Sequence, residues 1–116
     1  MRLIVFNGKF GHLQENINQG LVALCHFEPE DDEKIIFKVA EKLIKLTNDN
    51  LILVPFAHLF EKVAEKPLAK NFFESLIAKC KELDNNKNII SIPFGVEKEF
   101  FLYAPADDEA IKFMNF

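Results

Sequence analysis

The 116-residue sequence predicts an α/β fold: a single domain with a mixed, partly parallel sheet of about five strands and two main helices. Three observations carry this. Short apolar runs rich in branched residues alternate with two long segments of helical periodicity. The strand–helix–strand order occurs twice, which requires right-handed crossovers between parallel strands. The length suits one core, and 49% hydrophobic with 28% charged residues is a globular balance.

"RLIVF", residues 2–6, is the first strand. "NGKFG" follows as a turn or loop marked by Gly8 and Gly11. "GLVALCHF", residues 20–27, is a second strand whose nearly continuous apolarity suits burial on both faces. "EPEDDEKIIFKVAEKLIKLTNDN" contains the first helix. Acids crowd its start and Lys42 and Lys45 lie towards its end, both favourable to the helix dipole. Ile36, Val39, Ala40 and Leu43 form its apolar stripe.

"LILVPF" is a third strand of the buried type. The second helix begins at Pro67, a residue tolerated in a first turn. Its expected core stripe is Leu68, Phe72, Leu76, Cys80 and Leu83, widened by Phe73 and Ile77. "IISIPF" is the fourth strand and "KEFFLYA" the fifth, and the short link "GVE" implies that these two form an antiparallel pair. Residues 107–113 read as a last short helix. No repeat or linker interrupts the chain, so residues 1–116 are expected to form one domain.

The net charge of −4 argues against sequence-blind nucleic-acid binding, and so against a DNA partner. It leaves room for a small basic patch serving one RNA end. Thirteen Phe, one Tyr and no Trp favour rings that need no polar partner when buried. No apolar run reaches the roughly 18 residues of a membrane span, so no membrane partner is expected. The start reads as a strand and not a signal peptide. Cys25 and Cys80 lack a CxxC spacing and read as reduced thiols of a cytoplasmic protein.

Ligands on open α/β sheets gather beyond the carboxyl ends of parallel strands. "PFAH" lies beyond strand three and "PFGVEK" beyond strand four. If those strands are parallel neighbours, His58 and Lys98 approach one cleft. Pro55 and Pro93 end their strands, and Gly95 permits a close backbone approach. The three histidines, separated by 14 and 32 residues, have no metal spacing, and no cofactor motif occurs; neither metal nor cofactor is expected. Cys25 and His26 are adjacent on a strand and face opposite sides, so they do not form a nucleophile–base pair. His26 reads as a core or interface histidine.

"LVPFAHL" (53–59), the nearby Lys66-Pro67 and "IPFGVEKEF" (92–100) resemble the archaeal threonyl-tRNA synthetase editing domain, a family related in fold to D-aminoacyl-tRNA deacylase. The resemblance implies hydrolysis of wrongly made seryl-tRNA(Thr) at the tRNA 3′ end. It implies His58 as the pocket histidine, Lys98 as the functional lysine, and backbone groups of Phe56, Ala57, Phe94 and Gly95 as amino-acid readers. Asn7 falls where the family's first-strand His-Ser-Asp-Tyr begins, and Glu97 replaces a common Tyr. Both are candidate substrate contacts. Phe60 and Glu61 stand where the family has hydroxyls, and "APADDEA" where it has a Cys-Lys-Gly-His segment. The resemblance further implies a homodimer, with the RNA presented by a synthetase. Three readings stay open: an editing-type deacylase acting as an isolated or in-trans domain, a non-catalytic binding or assembly module that keeps the fold, and an unrelated small-molecule-binding α/β domain.

Overall fold

A computed structural model describes residues 1–11, 17–57, 59–94, 101–105 and 111–116. The strands are β1 (Arg2–Gly11), β2 (Ile17–His26), β3 (Asn50–Pro55), β4 (Asn88–Ser91), β5 (Phe101–Tyr103) and β6 (Ile111–Asn115). The helices are α1 (Glu33–Leu46), between β2 and β3, and α2 (Lys66–Leu83), between β3 and β4. The sheet runs β4-β3-β2-β1-β5, with β6 also paired to β1. β2, β3 and β4 are mutually parallel, as two helical crossovers require. β1 is antiparallel to β2, β5 and β6. This is the expected α/β class with a mixed sheet and two main helices.

α1 starts where Asp32 Oδ1 accepts the Ile35 N–H at 2.9 Å, which satisfies one of the unpaired first-turn donors. Its stripe of Ile36, Val39, Ala40 and Leu43 is fully buried, as the spacing predicts. α2 carries Pro67 in its first turn. Its buried positions are Ala69, Phe72, Phe73, Leu76 and Cys80. Leu68 and Leu83 are exposed, so the expected stripe is too long at both ends; in the first turn the neighbouring Ala69 is the buried position instead.

Both helices pack on one face of the sheet, against Leu3, Val5, Leu21, Cys25, Leu51 and Leu53. The alternate residues Phe6, Phe10, Val22, Leu24, Ile52 and Val54 form a second cluster on the opposite face, joined by Phe56 and Leu59 from the segment after β3. This alternation follows from the strand period of two. It also explains the apolar runs of β2 and β3, which are buried on both sides.

Three expectations are corrected. Gly8 and Gly11 do not make a turn but lie inside β1, where a Cβ on Gly8 would collide with the Tyr103 carbonyl oxygen. β5 does not pair with β4; β4 lies at the far edge beside β3, while β5 crosses to β1. A short link in sequence therefore does not make a hairpin here. Of the helix expected over residues 107–113, 107–110 lie outside the described residues and 111–113 are strand, because β6 completes the edge of β1 from Arg2 to Phe6.

Candidate functional site at the rim beyond β3 and β4

Because β3 and β4 are parallel neighbours, the "PFAH" and "PFGVEK" segments leave the sheet at the same rim. Pro55, the last residue of β3, pairs with Cys25. The Phe56 N–H donates to the Cys25 carbonyl at 2.8 Å, and the Ile92 N–H to the Leu53 carbonyl at 2.9 Å. Backbone bonding thus carries each segment past its strand before the chain turns away. His58, Gly95, Glu97 and Lys98 lie outside the described residues.

Phe56 is half-buried against the cluster of the open face, and Ala57 beside it is exposed. Phe94 is half-buried on the helix-covered face, tilted against Phe73 with ring centroids 6.3 Å apart. The two motif phenylalanines therefore pack on opposite faces of one rim. Asn7 is elsewhere. It is exposed and pairs with Leu21, four residues along β2 from the Cys25–Pro55 rung, or about 13 Å by strand rise. There it lines an open cleft of about 350 Å³ with Gln19, Gly20, Asn48, Asp49 and Asn50, at the opposite rim.

The rim also holds residues that the motifs did not mark. Arg2 and His26 are direct cross-strand partners, both on the face opposite the helices. The Arg2 guanidinium carbon lies 3.5 Å from the centroid of the Phe60 ring, and Arg2 Nε is 3.4 Å from Glu28 Oε1. His26 is fully buried, with Nε2 2.7 Å from the Lys62 carbonyl oxygen. A carbonyl only accepts, so Nε2 carries the proton and ties the segment after β3 to the end of β2. At the same end, the Met1 ammonium contacts Asp31 Oδ1 at 2.6 Å and Glu28 Oε1 at 3.1 Å. Asp31 Oδ2 accepts the Glu28 N–H at 2.7 Å, which fixes the chain between β2 and α1.

The thiols supply no nucleophile. Burial, reinforced by the neighbouring Cys80, pushes the Cys25 thiol far above its usual range, and burial alone pushes Cys80 up to about 12. Both remain protonated at neutral pH and inert. Among the described residues no group of three or more His, Cys, Asp or Glu is placed to hold a metal ion. No described helix is long and apolar enough to cross a membrane.

The architecture is a single α/β domain with a D-aminoacyl-tRNA deacylase-like fold, in which the two motif segments follow neighbouring parallel strands at one rim. The whole chain superimposes on the solved structure of c-Myc DNA Unwinding Element Binding Protein with a TM-score of 0.81 at 12% identity, covering 100% of this chain and 99% of that one. That likeness is one of fold. Residues 7–109 match the archaea-specific editing domain of threonyl-tRNA synthetase, and the chain belongs to this family. It is 30% identical over 93 residues to a threonine–tRNA ligase of Methanosphaera stadtmanae, across 74% of this chain and 15% of that protein. The chain thus matches only a small part of its curated relative's length.

Proposed function

We propose that this domain hydrolyses mischarged aminoacyl-tRNA, of the seryl-tRNA(Thr) type, as an isolated or in-trans domain in the cytoplasm. The observation that carries the reading is the exit of both family motifs from adjacent parallel strands at one rim. In this mechanism Lys98 stabilises the oxyanion that develops when water attacks the ester. His58 lines the pocket, and the backbone of Phe56-Ala57 and Phe94-Gly95 reads the amino acid. The net charge of −4 favours a tRNA presented by a synthetase over one bound unaided. The test is a panel of seryl-, threonyl- and D-aminoacyl-tRNAs. Selective release of serine is expected, and release of D-amino acids alone would move the protein to a different substrate class.

A homodimer belongs to the same reading. Ile111 and Phe113 on β6 are 52% and 57% exposed, and Phe101 and Tyr103 on β5 are exposed beside them. Apolar edge strands of this kind favour association. Phe113→Lys is expected to shift sedimentation from dimer to monomer; a wild type that sediments as a monomer throughout would remove the dimer. The second reading, a non-catalytic binding or assembly module, is favoured by Phe60 and Glu61 standing where the family has hydroxyls.

A further inference from the structure

Two buried side-chain polar atoms among the described residues make no hydrogen bond: Arg2 Nε and His26 Nδ1. Such atoms are uncommon in folded proteins and call for a physical reason. Here they belong to one cross-strand rung, at the rim where the first motif leaves β3. We propose that Arg2 and His26 form a hydroxyl-reading pair beneath Phe60. The chemistry is set by the two atoms. With Nε2–H committed to the Lys62 carbonyl, Nδ1 in this tautomer offers a lone pair, while Arg2 Nε offers an N–H. A carboxylate or carbonyl would satisfy only the arginine, and an ammonium only the histidine. A hydroxyl accepts from one and donates to the other.

Glu28 neutralises part of the arginine's charge from 3.4 Å without taking its Nε–H in a hydrogen bond, which further disfavours an anionic ligand. Phe60 covers the guanidinium and is itself 39% exposed, so rotation of its ring would uncover the arginine side of the pair. The inference rests on the deacylase reading, in which the substrate brings two hydroxyls of this kind: the amino acid's side-chain hydroxyl and the ribose hydroxyl of the RNA end.

Calorimetric binding of non-hydrolysable amides separates these sources. The probes are 3′-serylamino-3′-deoxyadenosine, its alanyl counterpart, and the 2′-deoxy form of the seryl amide. The variants are His26→Gln, whose amide nitrogen still reaches the Lys62 carbonyl but leaves no acceptor at Nδ1, and Arg2→Lys, which keeps the charge and loses Nε–H. The wild type is expected to prefer one hydroxyl over its absence by about tenfold, the size of one hydrogen bond to a charged or buried partner. That preference is expected to fall towards one in both variants.

Collapse of the seryl-to-alanyl ratio assigns the pair to the amino acid, and collapse of the 2′-hydroxy-to-deoxy ratio assigns it to the ribose. A preference that survives either substitution, no preference in the wild type, or no binding of any probe at millimolar concentration overturns the proposal and leaves the rung to a structural water. The two readings fail separately. Hydrolysis of seryl-tRNA with discrimination that survives in His26→Gln sinks only the hydroxyl pair; discriminating binding without hydrolysis of any ester sinks only the deacylase.

Discussion

The two faces of the sheet are built from alternate residues of the same strands, yet they end differently at the rim. On the helix-covered face the rungs stay apolar to the end: Leu51, Leu53, Cys25, Leu3, then Phe27 stacked against Phe72 with centroids 6.3 Å apart. On the open face Val22, Leu24, Ile52 and Val54 give way to Arg2 and His26. The first face stays packed up to this rim, whereas at the opposite rim it ends in the exposed Asn7 and Gln19. The second changes from packing to polar contact where the "PFAH" segment emerges. The difference teaches that adjacent residues of one strand can end in packing on one face and in polar contact on the other, although no element boundary separates them.

Removing a side chain from the packed face should have the largest effect. Leu76 is fully buried on α2. Leu76→Ala is expected to cost about 2–5 kcal/mol in denaturant unfolding, through lost burial and the cavity left behind. A change under about 1 kcal/mol would mean that this face is loosely packed.

The thiols probe the dryness of the same face more gently. Cys80 is raised from 9.0 to about 12 in the folded chain. An unfolded thiol loses its proton first as pH rises, so its contribution to stability is complete below pH 9 and declines above it. The slope approaches about 1.4 kcal/mol per pH unit until the folded group titrates. The Cys80→Ala variant is expected to show a shallower alkaline decline than the wild type. Equal slopes would show that solvent reaches the thiol. The smallest effect is expected at Leu68, 38% exposed at the start of α2: Leu68→Ala should stay within about 0.5 kcal/mol of the wild type.

How far the sequence could be read follows the same division. The stripe Ile36, Val39, Ala40 and Leu43, the Pro67 start of α2 and the doubly buried β2 and β3 are periodic features that neighbouring residues reveal. The rim from which both motifs depart was legible too, since two helical crossovers force β3 and β4 to run parallel. The β1 rungs were not. Gly8 reads as a turn residue locally, and only the approach of the Tyr103 carbonyl explains its place in a strand. β6 opposite residues 2–6, and Arg2 opposite His26, are pairings across long stretches of chain, set by register and invisible to any window of sequence. Asn7 illustrates the converse: an equivalent position in a motif places it on β1, while the register puts it on the rung of Leu21, away from Phe56.

The central claim is that the rim shared by the two motifs is a site of ester hydrolysis. Its most direct test is single-turnover release of serine from seryl-tRNA(Thr) by the wild type and by Lys98→Met. The expected result is release by the wild type and a loss of at least about a hundredfold in the variant, the scale of removing one oxyanion-stabilising group. Equal rates in the two proteins, or no release by either, would contradict it.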